Sequence, residues 1–184
     1  MSNLFESPRF ALQTERLILR ELDVDDAAFM LALLNDADFL RNIGDRGVHT
    51  VEQAREYIIA GAIASYRQHG FGLWAVRLVA DPACIGICGL IRRPTLEDVD
   101  IGYAFLPEWR GQGYALEASR ACMELGRQRF DLRRIVAITS LDNPSSARLL
   151  EKIGFRFERL IRASGDAGEL RLFAWDATDT ASPA

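Results

Sequence analysis

The spacing of apolar and polar residues divides this chain into short elements. From Glu15 to Leu22, Leu17, Leu19 and Leu22 stand against Arg16, Ile18 and Arg20, which predicts a strand with one face inward. Asp23 then sits where a helix N-cap belongs, and Asp25 and Asp26 suit the positive end of the helix dipole. Phe29, Met30, Leu33 and Leu34 carry the helical period until Asn35. Asp36 to His49 has no period. Its charges and its Gly44 and Gly47 predict a mobile connection with room for one short helical turn. Thr50-Val51-Glu52-Gln53 is a capping box opening a helix that stops before Gly70. Phe71 to Val79 and Cys84 to Ile91 read as strands of a hairpin turning at Asp81-Pro82. Arg92 to Asp98 turns again around Pro94. Val99 to Phe105 follows as a strand, with Val99, Ile101, Tyr103 and Phe105 on one face and Asp100, Gly102 and Ala104 on the other.

The second half is more regular. A two-sided helix runs to about Phe130. Ala115, Leu116, Ala118, Cys122, Met123, Leu125 and Phe130 lie on one side, and Glu117, Arg120, Glu124, Arg127 and Gln128 on the other. Arg134 to Thr139 is a β-branched strand. A helix joins it to the strand at Val99–Phe105, so the two are predicted to be parallel neighbours. Asn143-Pro144 caps a helix that ends at Gly154. Phe155 to Arg162 and Glu169 to Trp175 form a closing hairpin. The expected architecture is one α/β (α+β) domain over residues 14–176, with a mostly antiparallel sheet and one parallel pair. Residues 1–13 are expected to be a loose leader and residues 177–184 a disordered tail.

Composition narrows the function. At 184 residues, with 49% hydrophobic and 26% charged, the chain can bury one real core. A net charge of −4 argues against nucleic-acid binding through overall charge. The N-terminus has no signal-peptide pattern, and the apolar run from Tyr57 to Tyr66 is too short to span a bilayer. A cytoplasmic protein with no membrane partner is expected. Cys84, Cys88 and Cys122 have no metal-site or CxxC spacing and read as buried free thiols. His49 and His69 read as surface residues, Trp74, Trp109 and Trp175 as packing residues, and Arg92 and Arg93 as solvated hairpin charges. Trp109 also flanks a loop that it could shield.

That loop, Arg110-Gly111-Gln112-Gly113-Tyr114-Ala115, carries the chemistry. It joins a strand to a helix. Its glycines let successive N–H groups turn toward one anion, and the helix start adds further free donors. Arg110 adds a charge at the rim, although a plain turn with a surface arginine has the same residues. A dinucleotide fingerprint would need a third glycine where Leu116 stands, and a Walker loop would need a terminal Lys-Ser/Thr.

Arg110-x-x-Gly113-x-Ala115 resembles the acyl-CoA pyrophosphate loop of the GCN5-related N-acetyltransferases. Its flanks run from Asp100-Ile101-Gly102-Tyr103 through Pro107-Glu108-Trp109. Together with Thr14-Glu15-Arg16-Leu17-Ile18-Leu19-Arg20, Asn143-Pro144-Ser145-Ser146 and Glu151-Lys152-Ile153-Gly154-Phe155, they resemble the ribosomal-protein N-terminal (Rim-type) branch. The resemblance spans roughly Thr14 to Trp175. It implies acetyl-CoA as co-substrate, no metal, and an amine acceptor. That acceptor would be a protein N-terminus or, alternatively, a small amine. A non-catalytic acyl-CoA sensor is a further alternative.

The resemblance also implies site roles. The pantetheine arm would lie where the parallel strands splay, between Tyr103 to Leu106 and Ile138 to Leu141, pairing with backbone near Phe105 and Leu106. The amides of Arg110, Gly111, Gln112, Gly113, Tyr114 and Ala115 would hold the pyrophosphate. Asn143 would contact the arm, or act only as a helix cap. Asp100 would be the base, acting through a relay because aspartate is shorter than the family's usual glutamate, or else an edge carboxylate in water. Glu97 and Asp98 are weaker rivals. The family's tyrosine acid is replaced by Leu150, so Ser146 would protonate the departing thiolate, or merely bond its own helix turn. Acceptor choice would lie in Asp36 to His49 and Ser164 to Gly168.

Overall fold

The computed structural model describes residues 10–162 and 168–177. The expected leader up to residue 9, most of the Ser164–Gly168 turn and the tail beyond Ala177 lie outside the described residues. Among the described residues, eight strands form one sheet in the order β1-β2-β3-β4-β5-β6-β8-β7. They are β1 (Phe10–Gln13), β2 (Leu17–Glu21), β3 (Leu73–Leu78), β4 (Cys84–Ile91), β5 (Asp100–Phe105), β6 (Arg134–Ser140), β7 (Arg156–Arg162) and β8 (Glu169–Asp176). All neighbours are antiparallel except β5 and β6. β1 falls within the stretch expected to be a loose leader; it pairs with β2 from Phe10↔Arg20 to Gln13↔Ile18.

The helices are α1 (Ala27–Leu34), α2 (Ala37–Asn42), α3 (Val51–Ile58), α4 (Ala64–His69), α5 (Tyr114–Phe130) and α6 (Pro144–Lys152). Local chemistry sets their starts. Asp23 makes a capping box over the turn Val24–Asp26 that runs into α1, and Thr50 makes another with Gln53 at α3. α3 and α4, expected as one helix, are joined by a π-helical turn at Ile59–Ile63. The connection expected over Asp36 to His49, with room for one short helical turn, holds α2, whose first turn is capped by Asp36 through the amides of Asp38 and Phe39.

Two cores lie on opposite faces of the sheet. On one, α5 and α6 bring Ala118, Cys122 and Leu150 against Leu17, Leu19, Ile85, Ile135 and Phe173. On the other, Met30, Leu33, Phe39 and Ile58 from α1, α2 and α3 pack on Ala75 and Ile87, with Ala104 and Leu106 at the margin. Fully burying one such large apolar side chain contributes about 1.5–3 kcal/mol. Cys88 and Cys122 are buried free thiols and Cys84 is half-buried. At the far edge, β7 leaves Phe157 and Leu160 about half exposed, at 53% and 47%.

Candidate functional site: a glycine-turned loop beside parted strands

β5 and β6 share a single register pair, Asp100↔Val136, and part beyond it. Which groups face the opening follows from parity. Leu106 donates to Ile85 in β4 at 3.0 Å, and the Val99 carbonyl accepts from Val136 in β6 at 2.9 Å. Main-chain groups alternate sides along a strand, so those of Ile101, Tyr103 and Phe105 are aimed at β6. After Asp100 the strands diverge, and that row borders an open slot. Leu106, expected to pair with the pantetheine arm, instead spends its N–H on β4.

The loop lies at the end of this slot. Gly111 and Gly113 have φ of 73° and 82°, left-handed values that side chains with a Cβ rarely adopt. A Cβ built on Gly111 would meet nothing within 4 Å, so the space over the loop is open. Glu117 is the first amide of α5 to bond backward, to the Gly113 carbonyl at 3.0 Å. The amides of Tyr114, Ala115 and Leu116 therefore have no acceptor in their own helix. Two left-handed turns feeding a free helix start make a concave row of donors, and these residues fit a diphosphate.

The loop is braced from behind by the turn between β1 and β2. Glu117 accepts from the Thr14 hydroxyl at 2.5 Å, the Arg16 amide at 3.0 Å and Arg16 Nε at 2.7 Å. Arg16 also donates to the Gln112 carbonyl at 3.0 Å and lies over the Tyr114 ring, 4.6 Å from its centroid. Burial pushes the Glu117 carboxyl up, but Thr14 and Arg16 outweigh it and hold the group below its ordinary range. Trp109 packs at a tilt on Tyr114.

Arg110 is oriented differently from the expectation. Its amide donates to Pro107 at 3.3 Å. Its guanidinium donates to the Phe105 carbonyl at 2.8 Å and Asp38 at 2.5 Å, and pairs with Asp36. The charge expected at the diphosphate rim is thus directed at α2. Burial raises the Asp36 carboxyl, but Arg110 and the Phe39 and Asp38 amides bring it below the usual aspartate range. The sequence signal for this partner was Asp36-Ala37-Asp38-Phe39, a cap followed by an acidic first turn.

At the head of α6, Asn143 Oδ1 accepts from the Ser146 amide at 3.0 Å, so Asn143 is the cap. Ser146 Oγ is 2.8 Å from the hydroxyl of Tyr103, a residue expected on the apolar face of β5. Burial pushes the Tyr103 phenol up to about 12, so it keeps its proton at neutral pH. Leu150 is buried at 1% exposure.

Asp100 is not an edge carboxylate in water: it is 1% exposed. Oδ2 accepts from Arg93 at 2.9 Å, while Oδ1 has no partner among the described residues. Arg93 is therefore no solvated hairpin charge. Burial raises the Asp100 carboxyl above its ordinary value, and Arg93 opposes that rise. Asp98 is engaged by Arg134 at 3.0 Å. Among the described residues, no helix is long and apolar enough to cross a membrane.

Fold and site together define a mixed-sheet α+β domain whose single parallel pair opens beside an anion-shaped loop. Comparison with known proteins assigns the family. A family model described as an acetyltransferase (GNAT) domain matches residues 16–156. The chain is 30% identical over 152 residues to the uncharacterized N-acetyltransferase YoaA of Bacillus subtilis (strain 168), covering 82% of this chain and 85% of that one. Its fold is similar to that of an acetyltransferase from Agrobacterium tumefaciens str. C58, with a TM-score of 0.77 at 24% identity, over 95% of this chain and 98% of that one. It is also similar to RimL, a ribosomal L7/L12 alpha-N-protein acetyltransferase in complex with coenzyme A, with a TM-score of 0.77 at 20% identity, over 91% and 98%. The chain belongs to the GCN5-related N-acetyltransferase (GNAT) family.

Proposed function

We propose that this N-acetyltransferase moves the acetyl group of acetyl-CoA to the N-terminal α-amine of a protein. The observation that carries the choice of acceptor is the state of Asp100. The carboxylate expected to act as base is buried and half committed to Arg93. A lysine amine, with a pKa of about 10.4, is neutral in roughly one molecule per thousand near pH 7.4, whereas an α-amine is already neutral in roughly a quarter. A site with so restrained a base suits the acceptor that needs least from it. The fold's likeness to RimL, an alpha-N-protein acetyltransferase, supports the same reading.

In this reading the amides of Gly111, Gln112, Gly113, Tyr114 and Ala115 hold the diphosphate. The β5 groups bordering the slot and the Asn143 side-chain nitrogen align the pantetheine arm. Holding both reactants in line makes the reaction effectively unimolecular. Asp100 Oδ1 takes the acceptor's proton through a relay. Either hydroxyl can donate in the Tyr103–Ser146 hydrogen bond, and when Tyr103 donates, the Ser146 proton is free to meet the departing sulfur. Arg110 acts through its contacts rather than as a phosphate ligand.

A thiol-release assay tests this. The panel is peptides with free N-termini, the same lysine-containing peptides with blocked N-termini, and small amines including polyamines. The free-N-terminus peptides should show the highest kcat/KM and the blocked ones should be inert. Faster turnover of a polyamine would overturn the acceptor assignment. Coenzyme binding with no turnover of any acceptor would leave a sensor.

A further inference from the structure

One guanidinium ties three parts of the site together. Arg110 belongs to the loop. Its Nε holds the Phe105 carbonyl, one of the β5 groups aimed at the slot. Its two terminal nitrogens hold Asp38 and Asp36. Asp36 is also the cap of α2, accepting from the Asp38 and Phe39 amides at 3.1 and 3.0 Å. Arg110 therefore grips the group that starts α2.

The position of α2 gives this contact its meaning. Phe39 of α2 packs in the core on the face opposite α5, with Leu106 from the end of β5 against the same core. A coenzyme anchored at the head of α5 would present its thioester through the slot. The acceptor would then approach from the face that carries α1, α2 and α3. We propose that Arg110 is a positioning residue linking the coenzyme loop to α2, so that filling the loop orders the acceptor side of the site. This rests on the reading of the loop as an acetyl-CoA site. A planar fork is needed for the task. Lysine keeps the charge but cannot hold a carbonyl and two carboxylates in fixed directions.

Amide hydrogen exchange on the full chain, with and without acetyl-CoA, tests the link. In the wild type, acetyl-CoA should slow exchange at residues 111–117 and also at 36–43. In Arg110→Lys the loop should still be protected, while the added protection at 36–43 is lost. The acceptor KM should rise roughly tenfold with a smaller change in kcat, a coupling of ordinary size. Asp38→Asn, which spares the cap, should move the same readouts in the same direction, and the double variant should be no worse than Arg110→Lys alone. Equal coenzyme-induced protection of 36–43 in wild type and Arg110→Lys would overturn the proposal. So would a wild type protected only at the loop. A wild type whose loop gains no protection would fail earlier, by removing the acetyl-CoA reading itself.

Discussion

Replacing Arg93 with glutamine would leave Asp100 buried without its counter-charge. Burial already raises this carboxyl and Arg93 pulls it back, so the variant should raise it further. The acid limb of the rate–pH profile should then move to higher pH, and an unchanged limb would remove Asp100 from the base role. The sign for stability runs opposite to the usual aspartate. A raised folded pKa means that Asp100 favours folding at low pH and loses that contribution as pH rises through the folded value. Glu117 behaves the other way. Its folded pKa is depressed, so its contribution is present above the ordinary glutamate value and lost as pH falls through the folded one. Glu117→Gln should cost about 1–3 kcal/mol at neutral pH and flatten the acid side of the melting curve, read by calorimetry across pH. Alternation along β5 placed Asp100 on the correct face from sequence. It could not show that Arg93 folds back from the hairpin to cover it, because strand periodicity does not say what lies on top of a face.

Loop and helix start act as one element. Gly111 can be tested more cleanly than Gly113, where a Cβ would lie 3.3 Å from the Arg16 guanidinium. Gly111→Ala meets no neighbour, so its folding cost should be only the left-handed strain of about 1–2 kcal/mol. Coenzyme affinity, measured by calorimetry, should fall far more than stability does. An unaltered affinity would show that this turn does not shape the donor row. Most elements were legible because their signals are local: the Asp23 and Thr50 caps, Asn143-Pro144, and Gly154. The place and extent of α2 were not, beyond room for one short turn between Asp36 and His49. This helix spans six residues and buries only Phe39, too few to establish a period, and its cap stands among glycines and charges. The break at Ile59–Ile63 was hidden for a related reason, since a single π turn leaves the apolar run intact.

At the scale of the molecule, the chain order of strands and helices was readable, and it fixed the parallel pair β5–β6. How far the pair parts was not, because the alternation along each strand does not say how many residues of two parallel neighbours stay paired; here one pair, Asp100↔Val136, holds, while β8 pairs along the other side of β6 from Arg134↔Asp176 to Ser140↔Leu170. The sheet that opens inside also stops abruptly outside. Among the described residues β7 has no strand beyond it, and Phe157 and Leu160 stand in water there. Such a border invites another chain to add itself, and Arg156, Arg159 and Arg162 supply the like charge that discourages it. Arg159→Ile should leave the melting temperature almost unchanged yet give concentration-dependent scattering and thioflavin-positive material. A variant that stays clear at high concentration would show that these arginines do not guard against fibrils.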